Sequence, residues 1–151
     1  MRLFVLSCCL LFAAIPAAAA NVNLQANLIN SCVLSLSSNG TMTANTAGTQ
    51  IGSENASGSA ASLGLVAIGS LPTVTYAAPS LSTSPAGWTA SHTDSIRYTS
   101  NRGANQAYTS SQSSVTAGGL TETFTVHGKV DSANGFDAGN YTLTTVVTCS
   151  Q

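Results

Sequence analysis

The sequence predicts an all-β domain, a sandwich or a barrel, and three observations carry that expectation. Side chains alternate with period two in several short runs, most clearly Val22, Leu24, Ala26 and Leu28 near the start and Tyr141, Leu143, Thr145, Val147 and Cys149 at the end. Clusters of Ser, Asn, Gly and Pro punctuate the chain between those runs. No window of helical length carries a 3.6-residue apolar period.

The first twenty residues read as a secretion signal. Arg2 supplies a positive charge, Leu3 to Ile15 an apolar run and Pro16 to Ala20 a small-residue exit, with cleavage expected after Ala20. The run is too short for a comfortable membrane span, so an exported mature chain with no transmembrane segment is expected. Cys8 opens a lipoprotein alternative through Val5-Leu6-Ser7-Cys8, which the short preceding run disfavours. The expected organisation is therefore a signal at 1–20, an opening strand at 21–30 and one β domain at 31–151. That opening strand reads as a separable apolar ribbon that fills a groove, either in its own subunit or in the next one.

Beyond residue 20 the charges are Arg97, Arg102 and Lys129 against Glu54, Asp94, Glu122, Asp131 and Asp137. Nucleic acid is not expected as a partner, since neutralising phosphates takes clustered Lys and Arg. A surface hydrated mainly by Ser, Thr, Asn and Gly suits a protein that packs against copies of itself. With Cys8 and Cys9 leaving in the signal, Cys32 and Cys149 form an even pair in an oxidising compartment and read as a disulfide, which brings the two ends together. A metal site is the competing use of two cysteines, but no His lies within ligand spacing of either.

After Cys32 the alternation continues through Leu34 and Leu36 into the turn residues Ser37 to Gly40, and Thr41 to Ala61 is weakly patterned, consistent with short strands and loops. Leu63 to Ile68 is a continuous apolar run expected as a buried strand. Val74 and Tyr76 share a face in the next strand, Ala78 to Gly87 reads as loop, and Trp88 is expected to begin a further short strand. Ile96 and Tyr98 mark another, with a turn over Asn101 to Asn105 before Tyr108. Leu120 to Val130 sets Leu120, Phe124, Val126 and Val130 on one face, with Thr121, Thr123, Thr125, His127 and Lys129 on the other. Asp131 to Gly135 then turns the chain into the closing strand.

No catalytic motif is present: the chain has no Gly-x-Ser-x-Gly and no Gly-x-Gly that could open a phosphate or dinucleotide loop. His92 and His127 are the only imidazoles, so a Ser-His-Asp set could be drawn only by choosing freely among many serines. His127 reads as a surface residue and His92 as a hydrogen-bond partner of Asp94. Asp131, Asn134 and Asp137 are conceivable calcium ligands, but Asn134-Gly135 is first of all a turn. Trp88 is read as a core residue ahead of a sugar-stacking platform. No enzyme activity, cofactor or metal is expected.

The short signal, the alternating strand before a cysteine, the Thr/Ala/Gly-rich body and the closing Ala138-Gly-Asn-Tyr-Thr-Leu-Thr-Thr-Val-Val-Thr148 resemble bacterial pilin subunits of the archaic chaperone-usher type, the spore coat protein U-like family. The resemblance implies an immunoglobulin-like β-sandwich that lacks its last strand and is completed by the N-terminal extension of a neighbour. It implies Val22, Leu24, Ala26 and Leu28 as donor residues, with Leu34, Leu36, Tyr141, Leu143 and Val147 lining the acceptor groove. The implied partners are copies of the chain or related subunits, with a periplasmic chaperone and an outer-membrane usher during export to a surface fibre. The alternative expectation is a monomeric secreted binding module whose opening strand folds back into its own sheet and which recognises carbohydrate through Trp88.

The family's first cysteine usually pairs with one in mid-chain, whereas Cys32 has its candidate partner in the last strand. Walls flanking an inserted strand lie about 9 to 10 Å apart, while a disulfide requires Cα atoms within roughly 7 Å. A bond between Cys32 and Cys149 is thus expected beyond the end of any groove, where its walls converge.

Overall fold

Alternating apolar side chains and frequent turn residues yield strands throughout, and no helix occurs among the described residues. The computed structural model describes residues 24–151; the expected secretion signal and Val22 lie outside them. In chain order the strands are β1 (Ser31–Ser38), β2 (Thr43–Ala44), β3 (Gln50–Gly52), β4 (Ala61–Ile68), β5 (Thr73–Tyr76) and β6 (Ser80–Thr83). They continue as β7 (Thr93–Ser100), β8 (Asn105–Thr109), β9 (Ser113–Thr116), β10 (Thr121–Asp131), β11 (Thr142–Thr144) and β12 (Val147–Ser150).

Seven of these strands form one antiparallel sheet built on β10, the longest. Its first half pairs with β4, which pairs in turn with β1, and its last residues pair with β3, which pairs with β2. Its other edge takes β7 from Phe124↔Ser100 to Asp131↔Thr93, and β8 completes that side. A second set of strands carries β12-β5-β9 and β11-β6. Collinear pairing makes these two small sheets successive parts of one ribbon. Val147 pairs with Tyr76 and Thr144 with Ser80, and between them the Ala77 N–H donates to Val146 O while the Thr145 hydroxyl donates to Ala77 O.

The core lies between the large sheet and this ribbon, an arrangement consistent with a β-sandwich. Leu63, Leu65, Ile96, Tyr98 and Phe124 enter it from the large sheet, and Val74 and Tyr76 from β5. The Tyr76 and Tyr98 rings stack across the layers with centroids 3.9 Å apart, and Phe124 meets both edge-on at 6.2 and 6.4 Å.

Several expectations are corrected. The segment from Ala78 to Gly87 is not all loop, because Ser80–Thr83 pair with Thr142–Thr144 as β6. The Leu63–Ile68 run is not buried throughout: Val66 and Ile68 are exposed on the outer face of β4, because the same run supplies both faces of a strand covered on one side only. Leu120 is exposed, and Glu122, 3% exposed, takes the inward position beside Phe124. Its carboxylate Oε2 accepts the Gly118 N–H at 2.7 Å and ties down the turn into β10. Trp88 begins no strand; its N–H closes a turn to Pro85 O. His127 is not simply a surface residue: it is partly buried, and the Ser53 hydroxyl meets its Nδ1 at 3.1 Å. The closing strand keeps its alternation but is broken into β11 and β12, where Thr145 turns its hydroxyl to Ala77 and Val146 is left exposed.

Candidate functional site

Each layer ends in a strand with only one neighbour among the described residues: β1 in the large sheet, β11 and β12 in the ribbon. The two edges face each other without pairing. Main-chain donors and acceptors along such edges lack ladder partners, which makes them templates for another strand.

Between them runs a groove of about 690 Å³. One wall is Leu36 and the segment Asn39 to Met42; the other is Tyr141 to Thr145 with Val147. The floor is apolar, formed by Leu63, Ile96, Val126 and Gly128. A Cβ at Gly128 would stand 2.8 Å from Leu143 Cδ2, so the absence of a side chain there lets Leu143 of the facing wall settle against the groove floor.

At one end the walls are tied by a disulfide between Cys32 of β1 and Cys149 of β12, with Cα atoms 6.2 Å apart. Neither cysteine lines the groove, so the bond lies past its end, where the expected condition is met.

Of the residues named from the sequence, Leu36, Tyr141, Leu143 and Val147 line this groove, and Leu34 packs against the core instead. Leu24, Ala26 and Leu28 lie outside any strand and are exposed, Leu24 at 92% and Leu28 at 69%. Their own domain gives them no strand partner. Sequence reasoning missed Met42 and the floor residues. Gly128 was the available signal, because a glycine inside a strongly patterned strand marks a close approach.

Past the groove's other end, Met42 and Tyr141 also line a smaller cavity with Ile51 and Phe136. Trp88 belongs to this neighbourhood. Its ring stacks on Phe136 at 5.5 Å, is met edge-on by Tyr141 at 5.2 Å, and donates from Nε1 to Gly135 O at 3.3 Å. His92 lies against the same indole, and its Nε2 is 3.8 Å from Asp94 Oδ1.

On and beside the outer face of β10, Arg97, Glu54, Lys129 and Asp131 form two ion pairs. Arg97 grips Glu54 with both Nε and Nη2, and the Tyr108 hydroxyl donates to the same carboxylate at 2.7 Å. Hydrogen bonds from Arg97 first, then Tyr108, hold the Glu54 carboxyl down from its ordinary 4.5 to about 2. Lys129 pairs with Asp131 at 2.8 Å, and Gln50 donates to the other oxygen of Asp131. Asp131, one of the conceivable calcium ligands, is thus engaged by protein groups. Burial works upward on its pKa, and the hydrogen bonds from Lys129 and Gln50 outweigh it. The Ser53 hydroxyl accepts the Gly128 N–H at 3.1 Å, which makes the Ser53–His127 contact a brace between the end of β3 and β10.

A depressed carboxylate stabilises the fold above its unfolded pKa and ceases to do so as pH falls through the folded one. The Glu54 contribution is therefore complete above about pH 4.5 and is lost on the way to about 2. Glu54→Gln should lower stability modestly at neutral pH, the pair being partly exposed, and the two proteins should converge as pH falls toward about 2, so the variant has the flatter acid limb. Chemical denaturation of both proteins from pH 6 to 2 checks this; parallel acid limbs would show the network to be idle.

No family model matches the chain, and no curated protein or solved structure shows significant similarity to it. Among the described residues no helix is long and apolar enough to cross a membrane.

Proposed function

We propose that this chain is a structural subunit of a bacterial surface fibre, a pilus or fimbria, built by donor-strand complementation. In this reading the domain is an immunoglobulin-like, pilin-type sandwich that lacks one strand. A neighbour's Val22, Leu24, Ala26 and Leu28 lie in the groove between β1 and β11–β12, their amides and carbonyls completing the ladder on one or both sides. The observation that carries the reading is the apolar groove between two unpaired edges, in a chain whose own strand-patterned opening is exposed. Export by way of the periplasm, with a chaperone holding the groove until an usher delivers the next subunit, follows from the same need to keep an open seam covered.

The disulfide fits this role because it fixes the spacing of the two walls at one end without occupying the space between them. The second reading, a monomeric module that binds sugar through Trp88, has less support. One face of the indole is stacked on Phe136 and its N–H is already used.

Fibres held by donated strands should run on an unboiled denaturing gel as a ladder that collapses on boiling. Deleting residues 21–29 should abolish the ladder while the Cys32–Cys149 bond still forms. Gly128→Leu, which fills the groove floor, should leave the chain able to donate but not to accept, so that mixing it with the unmodified chain shortens the ladder. A ladder that survives the deletion sinks the proposal.

A further inference from the structure

The outer face of the large sheet is sharply uneven. At most outward positions it carries Ser, Thr or Gly: Ser35, Ser62, Gly64, Thr121, Thr123 and Thr125. At the disulfide end it carries Val33 and Val66, which are direct cross-strand partners, and Ile68, two residues further along β4 on the same face. They are 63%, 56% and 50% exposed, and Ile29, just before β1, is 74% exposed. Apolar residues scattered singly over a surface need no account, but a contiguous patch on a face whose other positions are mostly hydroxyl-bearing or charged does.

The patch lies where the opening segment leaves the domain. Asn30 is held there, its Nδ2 donating to Ser70 Oγ at 3.2 Å while its side chain occupies the space that a Cβ on Gly69 would need. Gly69 has φ +95°, so this turn favours glycine on two counts. Only Ile29 and Asn30 separate Leu28 from Ser31. Three extended steps reach at most about 11 Å, roughly the separation of two packed sheets. If Leu28 is seated in a neighbour's groove, that neighbour's body must lie against the exit point.

We infer that the Val33/Val66/Ile68 patch, with Ile29 exposed just ahead of it in the chain, is the contact face between successive subunits, and that its occupant is the body of the copy that receives this chain's opening strand. The inference rests on the strand-donation reading and adds a second, body-to-body interface to it. Strand donation joins the subunits, and the patch fixes the angle between them. A two-residue spacer without the patch would leave a hinge at every junction.

The test compares fibres of the unmodified chain with fibres of two variants, Val33→Thr/Val66→Thr and Ile68→Lys, by electron microscopy and by the unboiled-gel ladder. These positions face outward and both variants retain the core, and the threonines retain β-branching. Both variants are expected to keep the full ladder while the persistence length of the fibre falls several-fold. A full ladder with unchanged stiffness in both overturns the inference and leaves strand donation standing. Loss of flotation with neutral phosphatidylcholine vesicles, again with unchanged stiffness, would assign the patch to lipid and overturn it as well. Absence of a ladder from the unmodified chain would overturn strand donation and this contact together.

Discussion

Replacing Cys32 and Cys149 together by serine should lower the stability of the folded chain by about 4 kcal/mol, because the bond closes a loop with a sequence separation of 117. For a domain of this size that corresponds to a melting temperature lower by roughly 12 to 20 °C. The effect has a local side too. β1 and β12 belong to different sheets and share no ladder, so the bond is the covalent tie between the two walls of the groove. Without it the walls are free to part, and acceptance of a strand should weaken beyond what the lower global stability explains. Thermal melts with and without reductant measure the first effect, and ladder length at a temperature where both forms are folded measures the second. A melting point within about 3 °C of the unmodified chain would refute the stability estimate.

Phe124→Ala should cost about 3 to 5 kcal/mol, the range for removing a buried aromatic ring. Phe124 is fully buried on β10, between the pairings to β4 and β7, and its ring braces the edge of the Tyr76–Tyr98 stack. The cavity would open at the junction of the two layers, where the tyrosines cannot follow it without breaking their own stacking. Thr123→Ala, one residue away on the outer face, serves as the control and should fall within about 0.5 kcal/mol of the unmodified chain. Denaturant titration of both variants decides it; similar losses in the two would mean that β10 contributes through its backbone ladder and not through this ring.

The strands were legible where one face alone is buried. The alternation at Val74 and Tyr76, at Ile96 and Tyr98, and along β10 translates directly into inward and outward side chains, because a strand's period is two whatever it packs against. The pairing of Cys32 with Cys149 was legible for a simpler reason: beyond the expected signal no other cysteines exist. Reading failed where a residue's phase conflicts with its chemistry. Leu63 to Ile68 is apolar at nearly every position, so nothing local separated the inward Leu63, Leu65 and Ala67 from the outward Val66 and Ile68. Glu122 has the phase of a core position and the charge of a surface one, and the Gly118 N–H that permits its burial sits in a turn.

By itself the sequence determined that the described residues are all-β, which of them alternate, and that Cys32 and Cys149 are joined, since these follow from local period, turn chemistry and cysteine count. Only the tertiary structure decided that β1 and β12 end up as facing, unpaired edges, that Gly128 lies under Leu143, and that Val33, Val66 and Ile68 gather on one outer face. Those facts depend on which strand lies beside which, and strands as far apart in sequence as β1 and β12 are brought together by the shared burial of two sheets, which no local pattern encodes.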